Sequence, residues 1–216
     1  MNRSILLLLL FQTTALLHAQ DDCMATVEPT RMNVIYIGVD NPILIHNAIA
    51  PIQFDTDSIS GLQVIDDSNQ VYDSLRYVIR ANRPGQFNLK AEDANGKDFT
   101  YVFRVKRIPD PVPVLATQSS GSMKTGLFKA QGGVGMRLSG FDFDTRCSCE
   151  GFLLTRIPLE GERATAVNKG PRFADDARAL MNLGEPGDIY IFTNVRTRCP
   201  GDPAARKVGS MVFTLR

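Results

Sequence analysis

Apolar and polar residues alternate with a period of two through most of residues 25–108, and no helical period of 3.6 is sustained there. The stretches "MNVIYIGV", "PILIHNA", "GLQVID", "SLRYVIRA", "GQFNLKAED" and "DFTYVFRVKRI" are therefore predicted strands. In the last two, Phe87, Leu89 and Ala91 alternate, as do Phe99, Tyr101, Phe103 and Val105. Asn95-Gly96 between them is a strong hairpin signal. Six or seven short strands in about 85 residues predict an immunoglobulin-like sandwich. The antibody hallmarks are missing, because the chain has no tryptophan and Cys23 is the only cysteine in this half. The expectation is thus an architecture and not a subfamily.

The alternation ends in "FRVKRIPDPVPVL". Pro109, Pro111 and Pro113 remove every second amide donor and bias their predecessors toward extended geometry, so residues 109–115 are expected to form a stiff polyproline-like linker. At about 3.1 Å per residue, five such residues span roughly 15 Å. The competing reading is an edge strand that ends in an irregular loop. Beyond it, period-two patterning resumes in "KTGLFKA", "VGMRLSGFDFD", "CEGFLLTRI", "RATAVN", "DIYIFTNVRTR" and "KVGSMVFTLR". One helix, over about 173–183, interrupts them. Phe173, Ala177, Leu180 and Met181 make its apolar face, Asp175 and Asp176 suit its first turn, and Gly184 is placed as its C-terminal cap. The fold class expected is mainly β: an immunoglobulin-like module over 20–108, the linker, and a β-sheet domain with one short helix over 116–216.

The first residues change the setting. "MNRSILLLLLFQTTALLHAQ" has Arg3, an apolar run from Ile5 to Phe11 and Ala19 at a cleavage position, which is the pattern of a secretory signal peptide over 1–19. The run is too short for a membrane span, and no small-residue box precedes Cys23, which argues against lipidation. Cleavage leaves 197 of the 216 residues, with 23 basic and 23 acidic side chains. That neutrality argues against nucleic acid as a partner. Residues 20–108 carry 12 acidic and 9 basic side chains, and residues 109–216 carry 11 and 14, so the halves stand at −3 and +3. Such an asymmetry favours docking of one module on the other as readily as it describes two solvated surfaces.

Four cysteines remain after cleavage: Cys23, Cys147, Cys149 and Cys199. In an exported chain an even count suggests disulfides, and four allow three connectivities. Cys147-Ser148-Cys149 lacks the second Cys/His pair that a metal site needs. Alternate residues on one strand do not readily bridge each other, so Cys147 or Cys149 is expected to pair with Cys199, which leaves Cys23 hard to place.

Catalytic constellations are not apparent. His46, the one histidine after cleavage, stands in an apolar strand and reads as a packed or edge residue. Asp142 and Asp144 alternate with Phe141 and Phe143, which reads as an amphipathic strand; calcium would want six to eight oxygens and a ligand-spaced loop. "EDANGKD" lacks the glycine position and terminal glutamate of a calcium loop and reads as a hairpin turn. "QGGVGMRL" leads into a strand where a phosphate loop needs a helix. No cofactor is expected.

Taken together, "PTRMNVIYIGVDNPI", "FRVKRIPDPVPVL", "GVGMRLSGFDFD" and "RFADDARALMNLGEPGDIYIFTNVRTR" resemble the C-terminal periplasmic region of the GldM (PorM) family. The resemblance runs in order from Pro29 to Arg216. It implies a periplasmic component of the Bacteroidetes gliding and type IX secretion machinery, whose stacked β domains reach from an inner-membrane motor toward an outer-membrane-associated ring. This chain is similar to the last two of those domains. Family members carry a transmembrane helix and a helical domain ahead of them, where this chain has a signal peptide, and direct coupling to the motor is therefore not expected. Ala174 stands where the family commonly has a hydroxyl cap, and "CPGDP" replaces a Gly-Pro-Asp-Gly turn. Cys199 in that changed turn suits a lineage-specific disulfide.

The expected function is that of a non-enzymatic protein-interaction module, periplasmic, with ring proteins of the secretion apparatus as partners; a homodimer is compatible with the sequence. Partner contacts are best sought in "MNVIYIGVDNPI" and between Arg196 and Lys207. The alternative is an envelope sandwich that captures glycan or peptide, for which Tyr36, Tyr72, Tyr77, Tyr101 and Tyr190 are too scattered to give support.

Overall fold

The computed structural model describes residues 26–29, 33–55, 61–71 and 74–216. The expected signal peptide and Cys23 lie outside the described residues. The chain is mainly β, and its strands fall into sheets built from separate stretches of sequence.

Among the described residues before 107 there are eight strands: β1 (Thr26–Pro29), β2 (Val34–Tyr36), β3 (Asn41–His46), β4 (Gln53–Phe54), β5 (Leu62–Val71), β6 (Ser74–Ala81), β7 (Gly85–Glu92) and β8 (Asp98–Lys106). They form two four-stranded sheets, ordered β1-β3-β6-β5 and β2-β8-β7-β4. All neighbours run antiparallel except β2 and β8, which are parallel. This order is compatible with an immunoglobulin-like sandwich. Period-two patterning is what makes it close: Ile43, Ile45, Tyr77 and Ile79 from one sheet share a core with Ile35, Leu89, Phe103 and Val105 from the other. Phe54 meets Tyr77 edge-on across that core at 5.0 Å.

The hairpin between β7 and β8 turns at Asn95-Gly96, with Gly96 at φ +76°. Asp93 organises it, because its carboxylate accepts the Asn95 and Lys97 amides at 2.9 and 3.0 Å. Those amides, Lys97's foremost, hold the Asp93 carboxyl below its ordinary value.

From residue 112 onward the strands are β9 (Val112–Val114), β10 (Gly121–Met123), β11 (Gly135–Arg137), β12 (Ser148–Ile157), β13 (Ala164–Lys169), β14 (Ile189–Arg198), β15 (Arg206–Lys207) and β16 (Met211–Leu215). One sheet runs β10-β16-β14-β12-β13, with β15 added on β14, and β9 pairs with β11 on its own. Pro111, Pro113, Val114 and Leu115 are buried, so the proline segment is seated on this second body. One face of the large sheet is covered by two helices, α1 (Thr125–Lys129) and α2 (Asp175–Asn182). Phe128 from α1 stacks on Tyr190 at 4.5 Å, and Phe173, just ahead of α2, meets Phe152 at 5.8 Å.

Two expectations need correction. "KTGLFKA" is not a strand: Phe128 N–H donates to Lys124 O and Ala130 N–H to Gly126 O, which makes α1 a second helix where one was expected. Short apolar runs do not distinguish the two periods, and the single large side chain that has to be buried here, Phe128, is served by one helical turn. The amphipathic strand through Asp142 and Asp144 is also absent, since pairing stops at Arg137. Its partner β9 is three residues long, and Pro111 stands just before it, opposite the position where the ladder would continue, with no amide to donate. The chain turns at Gly140, φ +66°, and the Phe-in, Asp-out alternation is realised in a loop.

Helix α2 lacks a side-chain cap at Ala174. Asn168, buried in β13, holds the entry loop instead: its Oδ1 accepts the Ala174 amide at 2.8 Å, and its Nδ2 donates to Gly170 O and Arg172 O. Space at Gly184 is tight: a Cβ there would lie 2.8 Å from Leu215 Cδ1 and 3.2 Å from Met181 O, so its neighbours would have to shift.

Candidate functional site

The two large cores are separate, and between them lies a third, small cluster of Ile108, Cys147 and Cys199 with Val39, Met136, Leu138 and Phe141 packed on it. It is built by three loops and the end of β8. The first loop is the turn after β2, which Asn41 closes: its Oδ1 accepts Tyr36 N–H, and its Nδ2 donates to the carbonyls of Tyr36, Val39 and Ile79 at 2.9–3.0 Å. The second is the "FDFD" loop, whose Phe141 and Phe143 meet Tyr36 edge-on at 4.8 and 5.4 Å. The third is the Cys199–Asp202 turn.

Backbone contact across this joint is close. A Cβ on Gly38 would lie 2.3 Å from Pro200 C, and one on Gly201 would lie 2.5 Å from Ile37 Cγ2. Both glycines have positive φ, +80° and +76°, so their lack of a side chain serves conformation and proximity together. The two stretches nominated for partner contact, "MNVIYIGVDNPI" and Arg196–Lys207, therefore meet each other here.

The third loop is fixed from within. Cys147 and Cys199 form a disulfide across 52 residues of sequence. Asp202 accepts the Cys199 amide at 2.8 Å. Arg206 then spans from this turn to the proline segment: Nη2 donates to Ile108 O at 2.8 Å, Nη1 lies 2.9 Å from Asp110, and Nε lies 3.2 Å from Asp202, an ion-pair contact without hydrogen-bond alignment. Arg206, Asp202, Asp110 and the glycine pair were not singled out in the sequence. The i, i+4 spacing of Asp202 and Arg206 within a Pro/Gly turn is the one signal that was there to be read.

Of the two partners left open for Cys199, the structure takes Cys147. Cys149 is a free, buried thiol in the second core, and burial pushes its pKa up. His46 faces Ser74 across β3 and β6, with Nδ1 2.6 Å from Ser74 Oγ. Asp142 and Asp144 are exposed on the joint's rim. Among the described residues no group of three or more His, Cys, Asp or Glu side chains is arranged to hold a metal ion. A groove of about 720 Å³ beside the joint is lined by Asp40, Arg80, Asp67 and Arg76 with Phe143 and Asp144. Its charges are paired in place, Arg80 Nη2 to Asp40 at 3.1 Å and Arg76 to Asp67 at 2.9 Å, and Arg80 holds the Asp40 carboxyl below its usual range.

Two β bodies with a packed joint between them define the class: a mainly β protein. Residues 109–216 match the GldM C-terminal domain, and the chain belongs to that family. A search of curated proteins found no match. The family relates the chain to the gliding and type IX secretion machinery, in which this domain is a periplasmic structural component. No helix among the described residues is long and apolar enough to cross a membrane.

Proposed function

We propose that the chain is an exported, non-enzymatic interaction module that binds periplasmic or outer-membrane ring components of a gliding or type IX secretion apparatus. Cleavage after Ala19 releases it, residues 20–108 and 116–216 act as two domains, and the segment 109–115 holds them in one pose. The observation that carries the reading is the family match over residues 109–216. The joint adds support, because a disulfide and opposed glycines suit a protein that presents a shape. The test is affinity capture of the secreted chain from envelope extracts under non-reducing conditions, with N-terminal sequencing of the bait. Recovery of ring proteins with a bait that begins at Gln20 is the expected result. Repeated capture without any ring protein removes the assembly role, and an uncleaved N-terminus removes the leader.

A further inference from the structure

The large sheet ends differently on its two sides. At one side β10 is three residues long and parallel to β16. At the other, β13 is six residues, regular in register with β12, free of proline, and charged only at Lys169. Gly170 N–H donates to Glu150 O at 3.0 Å, and this sets the phase of the ladder. Asn168, Ala166 and Ala164 turn their backbone groups toward β12, while Val167 and Thr165 turn theirs outward. Among the described residues those outward N–H and C=O groups have no partner. Natural sheets blunt such an edge with prolines, bulges, charges or a covering element, and of these β13 has only the charge of Lys169 at its last position.

Beside the edge runs a groove of about 450 Å³ between β13 and α2, floored by Ala166, Ala179 and Leu180 and walled by Leu183. Leu183 is 57% exposed and Val167 on the edge itself 68%. Among the described residues Asp176 is the only charged side chain lining it, and α2 has no basic residue in its last turn. Unpaired backbone groups call for another backbone, an apolar trough beside them for alternate apolar side chains, and an acidic lining for basic flanks.

We propose that β13 accepts an extended segment of a partner protein as an added strand, with apolar side chains at alternate positions over Ala179 and Leu183 and a lysine or arginine beside Asp176. This rests on the reading of the chain as an interaction module and names one surface for it.

The test uses the full secreted chain and the probe acetyl-Lys-Val-Thr-Val-Thr-Val-Lys-amide, with amide hydrogen exchange read by NMR. Exchange at the Thr165 and Val167 amides is expected to slow by about tenfold or more with the probe. Read at the Thr165 amide, the effect should vanish in Val167→Pro, which deletes an outward donor without breaking a bond to β12. It should vanish also in Ala179→Arg, an exposed helix site that tolerates arginine and repels the probe's lysines. No protection in the wild type, or equal protection in both variants, overturns the proposal. Protection that appears without probe and grows with protein concentration overturns it in favour of a second copy. Equal binding of the same peptide with glutamate flanks overturns the basic partner. Edge protection alongside failed envelope capture sinks the assembly reading alone, and ring-protein capture undiminished in both variants sinks the edge alone.

Discussion

Replacing Cys147 and Cys199 together by alanine removes a cross-link that closes 52 residues of sequence. Loop-closure entropy for that length is about 14 cal/mol/K, so the unfolded chain gains about 4 kcal/mol of freedom at 25 °C. Alanine is the proper substitute, because both sites are buried and a serine hydroxyl there would add about 1–3 kcal/mol of unsatisfied polarity. The neighbouring Arg206–Asp110 pair is worth about 0–1 kcal/mol by comparison, since the Asp110 side chain is 66% exposed. The cross-link therefore dominates the local energetics. Urea unfolding of wild type and double variant, followed separately for the two halves, should show the transition of the second half falling by about 2 M for a slope near 2 kcal/mol/M. The first half should hold its midpoint. Reduced wild type should match the variant, as Cys149 stays buried and takes no part. A loss below about 1 kcal/mol, or an equal fall in the first half, refutes the assignment of this energy to a cross-link internal to the second body.

Arg156 donates to Asp188 at 2.8 Å, with Asp188 buried, so Arg156→Met should cost about 3 kcal/mol in thermal or urea unfolding by leaving a buried carboxylate without its counter-charge, held only by the Glu185 and Leu159 amides. Burial pushes the Asp188 carboxyl up, but Arg156 and the Glu185 and Leu159 amides outweigh it and the folded value is low. Its contribution is therefore complete above about pH 4 and is lost as pH falls through the folded value, and the variant should show a shallower acid limb. Tyr190 is pushed up to about 12 by burial and donates to Leu180 O at 2.7 Å. Here the sign reverses: the stabilisation is full below about pH 10 and fades toward 12, and Tyr190→Phe should cost about 1 kcal/mol at neutral pH while flattening that alkaline limb. Gly38→Val puts a side chain into the Pro200 carbonyl carbon at a φ of +80° that strains valine, so small-angle scattering should show a wider or variable angle between the halves, with the melting temperature of the first half lowered and that of the second little changed.

The strands were legible wherever one face is buried and the other wet. "SLRYVIRA" coincides with β6, and the Asn95-Gly96 hairpin is where its turn chemistry puts it. β4, two residues with an exposed glutamine, carries too little pattern to be seen. Thr125–Lys129 misled because a five-residue element with one buried side chain has no measurable period. The "FDFD" alternation misled for another reason: its inward side is Tyr36 from the other half of the chain, and periodicity reports that a side is apolar without reporting what lies there. The joint was illegible on the same ground. Gly38 and Gly201 read as ordinary turn glycines, and only their approach through space shows why neither position has room for a Cβ.

The charge asymmetry between the halves, −3 against +3, is as compatible with electrostatic docking as with two solvated surfaces, yet the joint is made differently. Its ionic centre, Arg206 with Asp202 and Asp110, is drawn wholly from residues 109–216. What crosses from the first half is Tyr36 against Phe141 and Phe143, Val39 and Ile108 in the small apolar cluster, the Gly38 backbone on Pro200, and the Ile108 carbonyl under Arg206. Attraction between net charges is screened within about 3 Å at 1 M salt, whereas apolar burial is not weakened by it. The proposed single pose should therefore survive a rise from 0.05 to about 1 M sodium chloride with unchanged scattering dimensions. A chain that extends or begins to sample several angles as salt rises would show that the asymmetry, and not the packed joint, sets the arrangement. The same measurement on the Gly38→Val variant separates the two causes, because a pose held by charge would keep its salt dependence there while a pose held by packing would already be lost.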